Sequence, residues 1–319
     1  MGARHYTRSG ALHRPTLHPL PADRHSLLLR CLVVCATILL ASCQRAGVLD
    51  PQGPIAAQER LLLINTTEIM LVVVIPVIAM AVGFAWWYRA SNSRANHSPD
   101  WAYEGAIEFV VWAIPALVVI LLGGVEWIGA HRLDPRAPIS SDAKPLQVEV
   151  VSLNWKWLFI YPDQGIAAVN QLVIPAGTPI NFRLTSATVM DSFFVPQLGS
   201  QIYTMGGMTT HLNLLANAPG KYPGISAQFS GDGFADMRFV VEAVPAGDFA
   251  GWVAKVRGAG PALDDAAYAK LAQPSHAVLP MTYRSVVPKL FETIVTDTKR
   301  GPEKRAAGAW RPPERERGG

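Results

Sequence analysis

Two short segments in the second half of the chain, residues 189–196 and 226–237, contain side chains that could do chemistry together. The candidates are one carboxylate, two hydroxyls, one amide and one thioether, on Asp191, Ser226, Ser230, Gln228 and Met237. The oxygen donors among them could hold a hard cation such as Mg²⁺ or Ca²⁺. They could also hydrogen-bond to one another, and a network of this kind is the interpretation that we favour.

This half of the chain lacks the Cys and His side chains that usually bind soft metals such as copper. The only cysteines are Cys31, Cys35 and Cys43, which all lie far upstream, and His211 is the only histidine between residues 147 and 244. Copper centres are built from thiolates and imidazoles, and a single thioether is a weak ligand. The sequence therefore predicts no copper centre here.

The same two segments resemble the copper-binding half of subunit II of the haem-copper respiratory oxidases. In the copper-containing members, a His on the first segment joins Cys-x-Glu-x-Cys-x-x-x-His-x-x-Met on the second. The matching positions here are, in the same order, Asp191, Ser226, Gln228, Ser230, Phe234 and Met237. Only Met237 is the same residue type as the copper ligand at the matching position in the copper-containing members. The pattern therefore resembles the copper-free, quinol-oxidising branch, the cytochrome bo-type ubiquinol oxidases.

This resemblance implies a fold and a function. The fold would be a two-helix transmembrane hairpin followed by an all-β cupredoxin-like Greek-key domain and a short C-terminal helical appendix. The function would be that of subunit II of a terminal oxidase that oxidises ubiquinol, reduces oxygen to water and moves protons outward. Haems and copper would reside in partner subunit I, smaller membrane subunits would complete the complex, and this chain would carry no cofactor.

Two other functions remain to be distinguished. A cytochrome c oxidase subunit would need the Cys and His ligands that are missing here. The second is a membrane-anchored cupredoxin-like protein that works alone as a binding or assembly protein. Such a protein would be purified from the membrane without an accompanying haem protein. Co-purification of haem therefore separates this last class from an oxidase subunit.

The N-terminal segment predicts export and lipid attachment. Five arginines precede an apolar run at residues 31–41, which is too short to span a bilayer. The run ends in Leu40-Ala41-Ser42-Cys43, which resembles a bacterial lipobox, so Cys43 would be acylated after cleavage. The alternative is an ordinary signal in which Cys43 is incidental.

Two long uncharged runs, residues 69–87 and 109–125, predict membrane-spanning helices. With short extensions, each is about long enough to cross a hydrocarbon core of ~30 Å at ~1.5 Å per residue. A lipidated Cys43 would face outward, and two crossings return the chain to that side. We therefore expect a protein of the bacterial inner membrane whose N-terminus and C-terminal domain are periplasmic.

Glu108 begins the second helix, at its cytoplasmic end. A carboxylate at a membrane helix end is costly unless it faces water or a partner. The residue could simply end the apolar run at the interface. The resemblance implies more, because the quinol-oxidase subunit has a Glu at the matching place near the mouth of a proton pathway. We expect Glu108 to admit protons to subunit I.

Short alternating strands with Gly and Pro turns predict a β-sandwich or barrel after the second helix. Trp155 and Trp157, two positions apart in a predicted strand, should share one face and serve packing or subunit contact. The excess of Lys and Arg over Asp and Glu lies in the two ends of the chain and forms no basic face on a folded domain. This distribution argues against nucleic-acid binding.

The predicted organisation of the membrane part is a lipoprotein signal at 1–42, an extracytoplasmic arm at 43–66, and transmembrane helices at 67–89 and 106–130 around a cytoplasmic loop at 90–105. After these come a linker at 131–145, the copper-free cupredoxin-like domain at 146–245, a C-terminal helical segment at 246–300 and a disordered tail at 301–319.

Overall fold

The computed structural model describes residues 47–96, 98, 100 and 102–299. The predicted signal, lipobox and acylation site at Cys43 and the C-terminal tail lie outside the described residues.

Two long helices precede the β-domain. After a 3₁₀ turn at Gly47–Leu49 come α1, Pro54–Trp87, and α2, Gly105–Arg132. Helix α1 begins with Pro at its first position, where the missing N–H costs nothing. Both helices are apolar, long enough to cross a membrane, and unburied over their most apolar windows. Such a surface needs lipid or protein around it.

Ten strands form two facing sheets. Their bounds are β1 Leu146–Leu153, β2 Lys156–Tyr161, β3 Ile166–Val169, β4 Gln171–Pro175, β5 Ile180–Ser186, β6 Asp191–Phe194, β7 Ile202–Thr204, β8 Thr210–Leu214, β9 Gly220–Ser226 and β10 Arg238–Val244. One sheet has the order β3-β2-β1-β5-β8 and the other β4-β10-β9-β6-β7. The pairs β1–β5 and β4–β10 are parallel, as crossover connections between two sheets produce.

The C-terminal segment adds short elements, of which the first helix packs on the core between the two sheets and the others pack mainly against the first sheet. They are α3 Ala246–Gly258, β11 Ala262–Leu263, α4 Asp265–Leu271, β12 Met281–Tyr283, β13 Ser285–Val286 and α5 Leu290–Lys299. Strand β12 pairs with β3 and extends the first sheet to six strands, while β11 and β13 pair with each other. Asp264 caps α4 by accepting the Ala267 N–H.

The first sheet is buried on both faces along much of its length. One face packs against the second sheet in an aromatic core in which Trp157, Phe159, Phe193 and Phe239 have ring centroids 4.9–6.4 Å apart. The opposite face is covered by an apolar cluster that includes residues of α4 and α5. This double burial explains why β2 is buried at every position and shows no polar–apolar alternation.

The first turn of α1 is docked on the β-domain. Gln52 N–H donates to the Gln197 carbonyl at 2.7 Å, and the Gln52 carbonyl accepts from Asn217 N–H at 2.8 Å. Gly53 lies so close to two carbonyl oxygens that a Cβ would come within 2.4 Å of Leu215 O. Ala56 is fully buried. The N-terminal end of the hairpin is thus packed into the domain that follows it.

The C-terminal segment contains helices, as predicted, but also three short strands that were not predicted. Two other local expectations differ as well. Helix α1 begins at Pro54, inside the stretch predicted as an arm. Trp155 does not share a strand face with Trp157, because Asn154 and Trp155 form the turn before β2 and Trp155 has a φ of 62°. A tight connection between antiparallel strands requires a left-handed residue, and alternation alone does not signal it.

Candidate functional site

Asp191 lies at the start of β6 with only 1% of its surface exposed. Its Oδ1 accepts from Ser226 Oγ at 3.4 Å, and its backbone carbonyl accepts from Thr204 Oγ1 at 3.3 Å. The Thr204 hydroxyl lies 3.0 Å from Ser152 Oγ, which is also buried. Among the described residues, Asp191 Oδ2 has no hydrogen bond of good geometry. An ionised Asp191 would lose its hydration here and would gain too few hydrogen bonds to offset that loss.

Burial raises the pKa of Asp191, and the nearby hydroxyls of Ser230, Ser152 and Ser226 offset only part of this effect. Desolvation favours the neutral acid because an ion loses more hydration than a neutral group does. Sequence reasoning missed Ser152, which comes from a strand distant in the chain, and Thr204, which lies on the strand that follows β6. Only the pairing of β6 with β7 brings Thr204 opposite Asp191.

The remaining candidate residues divide between this network and the loop beside it. Ser226 Oγ also lies 3.2 Å from the Gln228 carbonyl, whereas Ser230 Oγ lies 3.9 Å from Met237 Sδ. Met237 is buried in the aromatic core. Phe234 is in a 3₁₀ turn and packs against the exposed Phe229, with ring centroids 5.6 Å apart.

These donors do not suit copper. The set offers one buried carboxyl of raised pKa, hydroxyls and a thioether, whereas copper centres take thiolate and imidazole ligands. Among the residues that the structure describes, no three His, Cys, Asp or Glu side chains cluster as a metal site would require. The geometry instead supports a hydrogen-bonded pocket.

Trp155 fastens the loop that follows β9. Its Nε1 donates to the Ser230 carbonyl at 3.0 Å, and its ring lies against Gly233, where a Cβ would come within 2.4 Å of the indole. His276 from the C-terminal segment lies on the indole, with centroids 4.6 Å apart and with its Nδ1 3.9 Å from Asp236. The tryptophan therefore connects the loop to the C-terminal segment.

Glu108 lies in the first turn of α2 and is exposed. Its backbone N–H donates to the carbonyl of Glu104, the residue that precedes the helix. Exposed Phe109 and Trp112 lie beside it on the helix. Two acidic residues thus lie near the start of α2 on an otherwise apolar surface, and the contribution of Glu104 was missed from the sequence because it lies outside the apolar run.

Comparison with known proteins identifies the family. Residues 163–244 match the model of the cytochrome c oxidase subunit II periplasmic domain, and residues 257–297 match that of the COX aromatic rich motif. Cytochrome bo(3) ubiquinol oxidase subunit 2 of Pseudomonas aeruginosa is 48% identical over 268 residues, covering 84% of this chain and 81% of that protein. The chain belongs to the ubiquinol oxidase subunit 2 family.

Other relatives support this assignment. Ubiquinol oxidase subunit 2 of Acetobacter aceti is 48% identical over 83% of this chain and 87% of its own length. Quinol oxidase subunit 2 of Bacillus cereus is 35% identical over 78% of this chain and 86% of its own. As a member of the ubiquinol oxidase subunit 2 family, the chain is a transmembrane protein with two apolar helices, a cupredoxin-like β-domain and a short helical C-terminus.

Proposed function

We propose that this chain is the second subunit of a terminal ubiquinol oxidase in a bacterial inner membrane, and that it carries no redox centre. The complex would couple ubiquinol oxidation and reduction of oxygen to water to outward proton movement. The observation that carries the proposal is the chemistry of the Asp191 pocket, where oxygen donors and a thioether lie at positions that match copper ligands of the copper-containing oxidases. The names of the relatives point to the same substrate.

Electrons would enter the complex elsewhere. A quinol partitions into the membrane, so it can deliver electrons directly to haems and copper in subunit I without a water-exposed port. The exposed apolar surfaces of α1 and α2 suit contact with subunit I, smaller membrane subunits and lipid. This chain would then hold the complex together and cover its outer face.

The proposed orientation follows from lipid attachment. An acylated Cys43 would lie on the periplasmic side, and the β-domain would lie on that side after two crossings. Mass spectrometry of the purified chain tests this, because acylation adds a defined mass to a chain that begins at Cys43. An unmodified N-terminus upstream of residue 43 would refute it.

The first experiment measures oxygen uptake by the complex that is purified through this chain, fed either ubiquinol or reduced cytochrome c. We expect uptake with ubiquinol alone. Uptake with cytochrome c would require an electron port in this chain and would overturn the copper-free proposal. A preparation without haem and without uptake would instead indicate a protein that works without an oxidase.

We further propose that Glu108 admits cytoplasmic protons to subunit I. Its exposed carboxylate lies near Glu104 on an apolar helix surface, and an acid in this environment must face water or a partner. Two carboxylates near one helix end could collect protons from solvent and pass them inward.

The Glu108→Gln variant tests this role, with Glu126→Gln at the other end of the same helix as the matched control. We expect turnover to fall about tenfold, which corresponds to ~1.4 kcal/mol in the barrier, with haem content unchanged. The control should leave turnover within about twofold. Normal turnover of the Glu108 variant in an assembled complex would eliminate the proton-entry role.

A further inference from the structure

Three charged side chains join the first turn of α5 to the first sheet. Glu149 lies on β1, Arg183 is its partner in the register of the neighbouring strand β5, and Glu292 lies in the first turn of α5. Arg183 Nη1 lies 2.7 Å from Glu149 Oε1 and 3.0 Å from Glu292 Oε1. One nitrogen thus serves two carboxyl groups, which must themselves lie close together.

The two carboxyl groups differ in their surroundings. Glu149 is 7% exposed, whereas the side chain of Glu292 is half exposed. Burial raises the pKa of Glu149 to about 7, the neighbouring Glu292 adds to this effect, and Arg183 offsets only part of it. A buried acid beside a second carboxylate protonates readily, because its charge is both poorly hydrated and repelled. Glu149 is therefore the member of the pair that takes up a proton near neutral pH.

The two carboxyl groups also differ in how easily they can move. Strand β1 is paired with β2 on one side and with β5 on the other, so Glu149 cannot leave its position without disrupting the sheet. Helix α5 has only ten residues, and its far end is tied to the segment between β7 and β8, where Thr298 Oγ1 accepts from the Gly207 N–H at 2.7 Å. Repulsion between the two carboxylates is therefore relieved by displacement of the first turn of α5.

Arg183 holds this turn through its positive charge. Besides its ion pair with Glu292, its guanidinium lies over the ring of Phe291 at 4.8 Å. When Glu149 is neutral, the cation attracts Glu292 without competition from a second carboxylate in the triad. When Glu149 ionises, the cation is shared between two carboxylates, and the net attraction that holds the turn decreases.

Other ionisable side chains approach the triad from β2, from β8 and from the segment before α5. They are Tyr161, His211 and Lys289. The Tyr161 hydroxyl donates to the Val173 carbonyl in the core at 2.9 Å, so it points away from Glu149. Lys289 lines the same surface depression as Glu149 and Glu292 and adds positive charge there. His211 is the β8 partner of Arg183, and histidine is the side chain that ordinarily changes charge near neutral pH, so an experiment has to separate it from Glu149.

We propose that Glu149, Arg183 and Glu292 form a pH-sensitive latch, which holds the first turn of α5 on the sheet when Glu149 is protonated and loosens it when Glu149 ionises. Because the raised pKa of Glu149 belongs to the closed arrangement, opening becomes easier as the pH rises and levels off above about 7. On a periplasmic domain, protons that the complex moves outward would close the latch. That consequence rests on the proposed function, whereas the latch itself does not.

Hydrogen–deuterium exchange measures the opening of α5 in the full-length chain, purified together with its associated subunits. Exchange would be recorded from about pH 5 to about pH 8, corrected for the intrinsic pH dependence of amide exchange, and compared with that of α3 in the same sample. We expect the protection of α5 relative to α3 to fall by up to about tenfold per pH unit between about pH 5 and 7 and then to level off, because opening is linked to the release of one proton.

Three variants identify the groups. Glu149→Gln keeps the size of the side chain but cannot ionise, so α5 should retain at about pH 8 the protection that the unchanged protein shows at about pH 5. Glu292→Gln removes the ion pair and the repulsion together, so it should lower protection at about pH 5 and make it depend less on pH. His211→Gln is the matched control on the other side of Arg183 and should leave the pH dependence unchanged.

Three outcomes would overturn the proposal. Protection of α5 that does not change with pH would show that ionisation of Glu149 is not coupled to the helix. A pH dependence that persists in Glu149→Gln, or that disappears in His211→Gln, would assign the effect to another group. Protection that increases with pH would mean that ionised Glu149 strengthens the attachment. All three are independent of oxygen uptake, so they leave the proposed function standing.

Discussion

Lys156 and Asp191 are both buried ionisable residues of the β-domain, each only 1% exposed, but their surroundings differ. Lys156 Nζ donates to the carbonyls of Leu271 at 2.8 Å and Gln273 at 2.7 Å, at the end of α4. Asp191 has one long hydrogen bond to Ser226 and an unpartnered Oδ2. One group has strong, specific partners, and the other is accommodated by becoming neutral.

The difference indicates which of the two side chains has polar partners that depend on it. Lys156 satisfies carbonyls that the end of a short helix leaves without partners, so it connects the sheet to the C-terminal segment. Burial lowers the pKa of Lys156 and raises that of Asp191, and both effects favour the neutral forms. Only Lys156 has partners that would be left unsatisfied if its side chain were removed.

The largest effect is expected from Lys156→Met. Methionine fills similar volume but leaves the buried Leu271 carbonyl and the partly buried Gln273 carbonyl without this donor, so the free energy of unfolding should fall by about 3–4 kcal/mol. Thermal unfolding of the purified chain in detergent measures this. A change below about 1 kcal/mol would remove the contrast with Asp191.

Glu149 extends the comparison to a buried acid with a cationic partner. Burial and the neighbouring Glu292 outweigh Arg183 and raise the pKa of Glu149 from 4.5 to about 7. The acid is therefore charged more readily in the unfolded chain, so its contribution to stability is complete below pH 4.5 and is lost as the pH rises to about 7.

Glu149→Gln should eliminate this loss. Relative to the unchanged protein, its free energy of unfolding should rise by about 2–3 kcal/mol between pH 4.5 and 7 and then remain level. Denaturant unfolding at a series of pH values provides the measurement. A difference between the two proteins that does not vary with pH would show that Glu149 stays ionised in the folded state.

A smaller effect is expected from Trp155→Phe. The variant keeps an aromatic ring beside Gly233 but loses the hydrogen bond to the Ser230 carbonyl, which should cost about 1 kcal/mol. Faster hydrogen exchange should be confined to residues 226–237. Trp252→Phe, which also replaces an indole by a smaller ring, serves as the control and should leave exchange in that loop unchanged.

The smallest effect is expected from Asp191→Asn at acidic pH. Asparagine resembles the protonated acid in shape, so stability should change by less than about 1 kcal/mol there. At neutral pH the variant should be the more stable, because the raised pKa of Asp191 means that its contribution is lost as the pH rises. A large loss of stability at every pH would instead show that the Asp191 carboxyl makes a hydrogen bond that the fold requires.

Sequence reasoning recovered the helices that composition and caps mark and missed short strands that depend on their partners. The two apolar helices and the C-terminal helices follow from composition and caps, and helix α4 begins directly after its N-cap, Asp264. Strands β6 and β7 have only four and three residues and show too little alternation to be recognised. Their pairing with each other supplies what the local sequence lacks.

The sequence predicts which segments form the candidate site but not the hydrogen bonds within it. The family resemblance predicts that the segment from Ser226 to Met237 lies beside Asp191, and the structure pairs Ser226 with β6. The hydroxyls of Ser152 and Thr204 and the indole of Trp155 come from other strands and turns. No local pattern reports a contact of this kind, because it depends on sheet order.

The docking of α1 on the β-domain has a consequence for how the chain is made. Residues 52–56 precede the hairpin, yet they complete the packing of a domain that follows it. A chain in which only one helix had crossed would leave these residues and the 197–217 edge of the domain on opposite sides of the membrane. If both helices span the membrane, the domain can close this edge only after both have crossed, so the contact depends on the topology of the hairpin.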